Sequence, residues 1–142
     1  MTKRTASANW KGDLKSGAGS LSSESGILTK TPYSFRTRFE SEKGTNPEEL
    51  LAAAHAGCFT MALSLQLQLA GLKAESLDTV CTITLDKVGD AFAITASHLE
   101  LKARIPGASQ EAFQQAADAA KAGCPVSKLF NTQITLTATL ED

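Results

Sequence analysis

Two thiols sit where chemistry could use them. Cys58 lies inside a run from Leu50 to Leu72 that holds no charged residue, and Cys124 directly precedes Pro125. Two cysteines whose Cα atoms come within about 6 Å can form a disulfide. In a reducing compartment such a pair is more often a reversible couple, in which one sulfur attacks and the other resolves. Their separation along the chain carries no geometric information.

The attacking species has to be a thiolate. Cys58 falls roughly 15 Å along its helix, and the helix dipole fades within the first turn. A cation must therefore activate it, and Arg38 or Arg36 can supply one. Arginine keeps its charge when buried and grips a carboxylate through two parallel bonds, a role that suits Glu48. Cys124, with a helix start beside it, is the more acidic thiol by dipole reasoning alone. Which of the two attacks stays open on these grounds.

His55 stands three residues before Cys58, on nearly the same helix face. It could serve as base to a hydrolytic cysteine or join Cys58 and Cys124 around zinc. No orienting carboxylate is evident, CxxC spacing is absent, and a fourth ligand is missing. A buried histidine, hydrogen-bonded in a dimer core, is the favoured reading. Neither a metal nor a cofactor is expected, since no GxSxG, HExxH or phosphate-cradling glycine loop occurs.

These residues depend on the elements that hold them. The segment NPEELLAAAHAGCFTMALSLQLQLAG, from Asn46 to Gly71, reads as one helix. Asn46 caps it, Pro47 fits its first position, Glu48 and Glu49 oppose the dipole, and Gly71 stops it. Leucines fall on several sides, which predicts burial nearly all round. Its length suits a membrane, yet two glutamines, a histidine and two hydroxyls disfavour lipid. A buried helix of a soluble protein is expected.

Upstream, residues 6–30 read as short strands, and Tyr33 to Glu40 alternates as a strand with Arg36 and Arg38 on one face. Ser76 to Asp86 is a strand with Leu77, Cys81, Ile83 and Leu85 facing inward, so Cys81 is structural. A turn at Val88-Gly89-Asp90 leads to a returning strand, Ala91 to Arg104, with a bulge near Ser97. Ser109 caps a helix from Gln110 to Ala122 whose stripe is Phe113, Ala116, Ala117 and Ala120. Cys124 takes the N-cap position of a short turn, and Thr132 to Leu140 is a last strand. Segregated runs of this kind predict an α+β fold.

Single-domain organisation over residues 1–142 is expected from the length, and the net charge of −1, with both signs interspersed, gives no reason to expect nucleic acid or an anionic membrane as partner. The N-terminus lacks an apolar signal region and three cysteines make no disulfide scaffold, so a cytoplasmic location is expected. Glu48 and Cys58 are too far apart on one helix to share a small site. If the helix pairs antiparallel with its copy and crosses near residue 53, Glu48 of one chain meets Cys58 of the other. Ala52, Ala53, Ala54, Ala56 and Gly57 permit that approach, which predicts an isologous homodimer with composite sites.

The runs Thr37-Arg38-Phe39-Glu40, Lys43 to Leu50 (KGTNPEEL), Ala53 to Phe59 (AAHAGCF) and Ala122 to Ser127 (AGCPVS) resemble the OsmC/Ohr family across essentially the whole chain. The Ala54-His55-Ala56 form and the stretch Ser23-Glu24-Ser25-Gly26 are most similar to its OsmC branch. The resemblance implies an α+β fold with strands flanking two central helices, in an intimate homodimer. It implies a thiol peroxidase that reduces organic hydroperoxides to alcohols and is recycled by a dithiol, with lipoyl groups favoured in the Ohr branch. Cys58 would attack and become a sulfenic acid, Cys124 would resolve it as a disulfide, Arg38 would activate and Glu48 would hold the arginine. The apolar candidates around Cys58, namely Phe39, Phe59 and Met61, point to alkyl or fatty-acyl hydroperoxides. A redox-sensing or stress-binding protein with the same cysteine pair is the alternative.

Overall fold

The computed structural model describes all residues from Met1 to Asp142. By contacts it divides into two compact units, Met1–Leu50 and Leu51–Asp142. The first unit carries a three-stranded antiparallel sheet of β1 (Ala6–Lys11), β2 (Ala18–Ser23) and β3 (Thr31–Tyr33), in that order. Trp10 and Tyr33 meet edge-on at 5.5 Å over Gly19. A Cβ at Gly19 would fall 2.5 Å from the Trp10 ring, so only glycine lets the pair close.

The stretch after β3 corrects an expectation. Residues 33–40 do not form a strand with two arginines on one face. Phe35–Phe39 is a short helix, α1. Ser34 caps it: its hydroxyl accepts from the Thr37 amide at 3.2 Å, and the Ser34 amide donates to the Thr37 hydroxyl at 2.9 Å. Phe35 and Phe39, one turn apart, then meet at a tilt with ring centres 4.9 Å apart. Alternating aromatics fit a strand, but aromatics four apart also fit a helix, and the reciprocal cap decides between them.

Helix α2 (Pro47–Leu69) starts in the first unit and continues into the second. Asn46 accepts from the Glu49 amide at 2.8 Å and donates to the Thr37 carbonyl at 3.0 Å, which locks the helix start to α1. Gly71, at φ +75°, ends it as glycine can.

The second unit is a sheet in the order β4 (Ser76–Val88), β5 (Ala91–Arg104), β6 (Gln133–Glu141). β4 and β5 form an antiparallel hairpin, and β6 joins β5 in parallel. The register slips between Thr84 and Leu85, which leaves Thr95 as the extra residue, two positions from where the parity change predicted a bulge. Helices α3 (Gln110–Gly123) and α4 (Pro125–Leu129) precede β6. The core joins Phe59, Leu63 and Leu67 of α2, Leu99, Leu101 and Ala103 of β5, and the predicted α3 stripe of Phe113, Ala116, Ala117 and Ala120. Phe113 is fully buried there, and Phe113→Ala is expected to cost about 3–5 kcal/mol in a urea titration.

The expected all-round burial of α2 does not hold within the chain. His55, Phe59, Leu63 and Leu67, spaced by four, are buried. Ala53, Ala54, Gly57, Met61, Leu65 and Leu69 are exposed, Met61 at 76%. Composition says that a helix is apolar on several sides. It does not say whether the second side is covered by the same chain.

Candidate active site

Each unit carries one half of the predicted constellation. In the first unit, α1 presents Arg38 and the first turn of α2 presents Glu48. Arg38 Nε lies 3.1 and 3.2 Å from the two Glu48 oxygens, and Nη2 lies 2.8 Å from Oε1. This is the bidentate grip expected of an arginine on a carboxylate. The Glu48 side chain is nearly closed off, at 10% exposed, and Arg38 is at 38%. The pair uses Nε and Nη2, so the Nη1 edge of the guanidinium lies outside it. Arg36 takes another course: it pairs with Glu42 at 3.5 Å on an exposed surface. Arg38 borders an apolar recess of about 270 Å³ lined by Trp10, Leu14, Tyr33, Phe35 and Phe39.

In the second unit, α2 and the α3–α4 junction bring the two thiols together. The Sγ atoms of Cys58 and Cys124 lie 2.8 Å apart, and both residues are free cysteines. Cys124 is the N-cap of α4 with Pro125 behind it, the placement that the sequence predicts. Burial would raise the Cys124 thiol. The hydrogen bond with Cys58, the amide and hydroxyl of Ser127 and the Val126 amide outweigh burial and bring it below its ordinary value. Cys58 goes the other way. Burial, then its bond with Cys124, push its thiol up, and the Val126 amide at 3.5 Å only partly compensates.

Access separates the two sulfurs in the opposite sense. Cys124 is completely buried, whereas Cys58 is half-buried and borders an open groove of about 380 Å³. Met61, Ala62, Leu65, Ala119 and Pro125 line it, almost entirely with apolar surface. Of the lining candidates, Met61 is in the groove. Phe59 points into the core instead, and Phe39 lines the recess beside Arg38.

His55 has partners that the sequence could not name. It is fully buried, with Nδ1 2.6 Å from Ser97 Oγ and Nε2 2.8 Å from Ser127 Oγ. Both ring nitrogens are thus committed to serines of its own unit. That removes it as a base for Cys58 and as a zinc ligand with the two cysteines, and leaves it the buried, hydrogen-bonded histidine that the sequence favours. Ser97 and Ser127 are the buried polar residues that sequence reasoning missed; a serine at the parity change of β5 and one in GCPVS were the only signals. Cys81 lies 3.3 Å from Ser97 Oγ and is pushed up by burial, in keeping with a structural role.

Burial also lowers the His55 pKa below 6.5. The folded chain therefore binds the proton more weakly than the unfolded chain does. The stability that neutral His55 contributes is present above about pH 6.5 and is lost as pH falls below it. The urea midpoint is expected to drop on acidification from neutral pH to about pH 5, and to drop less in His55→Gln.

Comparisons with known proteins agree with this architecture. The family profile described as OsmC-like protein matches residues 40–139. The chain is 53% identical over 129 residues to Peroxiredoxin OsmC of Escherichia coli K12, covering 91% of this chain and 90% of that protein. It is 32% identical over 100 residues to an organic hydroperoxide resistance protein of Xanthomonas axonopodis pv. citri, covering 68% of this chain and 67% of that one. Among solved structures, an OsmC-like protein from Vibrio cholerae superposes with a TM-score of 0.77 at 17% identity, over 97% of this chain and 99% of the other. OhrB of Bacillus subtilis superposes at 0.68 with 23% identity, over 96% and 98%. At those identities the superpositions establish the fold, which is α+β.

Proposed function

This chain belongs to the OsmC family, and on that premise we propose that it is a cysteine-based peroxidase that reduces organic hydroperoxides to alcohols. The observation that carries the reading is the sulfur pair: two free thiols 2.8 Å apart, one open to an apolar groove and one fully buried. A hydroperoxide with an alkyl or acyl chain can lie along that groove and reach Cys58, while Cys124 is screened from it. Access thus supports Cys58 as the attacking thiol, although Cys124 is locally the more acidic.

The steps follow from this assignment. The Cys58 thiolate attacks the terminal peroxide oxygen; the O–O bond breaks and the alkoxide leaves, taking a proton to become the alcohol. Cys58 is now a sulfenic acid. Cys124, as thiolate, attacks the Cys58 sulfur, and hydroxide leaves and is protonated to water. A dithiol reduces the resulting Cys58–Cys124 disulfide and is itself oxidised to a disulfide. Small dithiols, including lipoyl groups, suit a sulfur pair of which one member is buried.

Cys58 needs a cation, because burial and Cys124 both raise its pKa. Arg38 is assigned that role on the motif match and on its bidentate hold by Glu48. A homodimer would bring the two together. The exposed small residues Ala53, Ala54 and Gly57 of α2 suit an antiparallel pairing with a second copy. Such pairing accounts for an apolar helix that its own chain leaves largely uncovered. A fully active monomer would remove the composite site from the mechanism. A cytoplasmic setting, where thiols stay reduced, fits the three free cysteines.

The direct test is consumption of cumene hydroperoxide against hydrogen peroxide, with dihydrolipoamide as reductant. Faster turnover of the organic peroxide is expected. A single oxidation followed by arrest, with every dithiol tried, points instead to a redox sensor.

A further inference from the structure

The groove beside Cys58 has two unlike walls. On the α2 side Met61 and Leu65 stand along it, while the α3 side offers only Ala119, Ala120 and Gly123. Residues three and four apart share one helix face, so these three form a single strip of α3. The width of the groove is therefore set by side chains that α3 does not have. Gly123 is the end of that strip nearest the sulfurs along the chain. It directly precedes Cys124, whose Sγ lies 2.8 Å from that of Cys58.

Nothing in the backbone calls for glycine at position 123. Glycine is needed where φ is positive or where another segment leaves no room for a Cβ. Gly71 meets the first condition and Gly19 the second. Gly123 closes α3 in helical conformation, its φ is not positive, and a Cβ there would meet no atom within 4 Å. Alanine is the better helix former. The open space belongs to the groove that Gly123 borders. Gly57 has the same free side, but it lies with Ala53 and Ala54 on the exposed strip of α2 assigned above to a second copy. Gly123 is on another helix, next in sequence to the thiol pair.

We propose that Gly123 is a specificity-determining residue: its missing side chain gives the groove its width at Cys58 and admits organic groups that are branched next to the reacting atoms. For the peroxidase reaction these are secondary, tertiary and aryl-substituted hydroperoxides. The assignment deepens the reading above and rests on Cys58 as the attacking thiol. When the Cys58 thiolate takes the terminal peroxide oxygen, the carbon that carries the peroxide is only two bonds away. Its substituents must then lie against the wall next to the sulfurs. A primary alkyl hydroperoxide has one chain, which can run along the groove toward Leu65. Hydrogen peroxide has no substituent at all and does not meet the wall.

The experiment follows the first oxidation of the reduced full-length protein by cumene hydroperoxide and by hydrogen peroxide, and reads the ratio of the two rates. A general loss of thiolate or of fold lowers both rates and leaves the ratio alone. The ratio is expected to fall about tenfold in Gly123→Val, the lower end of what one methylene does in an apolar pocket, and less in Gly123→Ala. Ala122→Val puts the same side chain one residue earlier, at an exposed position outside the groove, and its ratio is expected to match the wild type. An unchanged ratio in Gly123→Val, an equal fall in Ala122→Val, or a Gly123→Val protein that differs from the wild type in oligomeric state on size-exclusion chromatography overturns the inference. S-phenyl and S-methyl methanethiosulfonate are read on the same proteins, because they need no peroxide chemistry. The Cys58 thiolate attacks the sulfenyl sulfur, the S–S bond breaks, methanesulfinate leaves and a mixed disulfide remains on Cys58. If neither peroxide oxidises Cys58, the peroxidase reading falls and these probes decide the rest. A lower phenyl-to-methyl ratio in Gly123→Val keeps Gly123 as the wall, whereas an equal ratio or a first label on Cys124 removes it.

Discussion

Cys58→Ser is expected to end cumene hydroperoxide consumption, with a fall of at least about three orders of magnitude in kcat/KM. A serine hydroxyl is not ionised at neutral pH and is a poor nucleophile toward oxygen, so nothing in the groove replaces the lost thiolate. Cys124 cannot take over, because it is fully buried while Cys58 is the sulfur at the groove. The substitution is nearly isosteric and removes one partner of a 2.8 Å contact, so the fold should survive it. The companion variant Cys124→Ser should behave differently. Its first oxidation should proceed and leave a sulfenic acid on Cys58 that dimedone traps, but no intramolecular disulfide should form. If Cys58→Ser retained activity and Cys124→Ser lost the first oxidation, the roles of the two thiols would be reversed.

Arg38→Ala should be the second largest loss, about 10²-fold in the rate of sulfenic acid formation at neutral pH. Each unit by which the Cys58 pKa rises removes about a factor of ten of thiolate below that pKa. Within its own unit Cys58 is already pushed up by burial and by Cys124, so it has no margin once the cation is gone. The alanine variant also strands Glu48, whose side chain is only 10% exposed, without the two parallel bonds it now accepts. Two controls separate these effects. Glu48→Gln keeps a partner for Arg38 while removing the buried charge, and should cost less than Arg38→Ala. Arg38→Lys keeps the charge but not the fork, and should recover only part of the rate. The pH profile of sulfenic acid formation should move to higher pH in Arg38→Ala. An unmoved profile would mean that Arg38 orients the peroxide or only supports the fold.

Much of this protein was legible in its sequence because the relevant physics is local. The Asn46 cap and the Gly71 stop bound α2 within two residues, since both act through adjacent backbone groups. The inward stripe of α3 and the alternating face of β4 follow from periods of 3.6 and 2. Cys124 at an N-cap before Pro125 is equally a statement about neighbours. The difference at residues 33–40 is local too: the alternation favours a strand, and the reciprocal bonds of Ser34 and Thr37, three residues apart, favour a helix.

What only the tertiary structure decided concerns pairs far apart in the chain. Whether Cys58 and Cys124 meet at all, which sulfur is open, and that His55 spends both nitrogens on Ser97 and Ser127 depend on how β5, α3 and α4 close over α2. Nothing in the intervening residues encodes those distances, because loop lengths fix what is reachable and not what is reached. The exposed side of α2 belongs with them. Its apolar residues specify that the side be covered, and only the packed chain reveals that its own elements cover the other side.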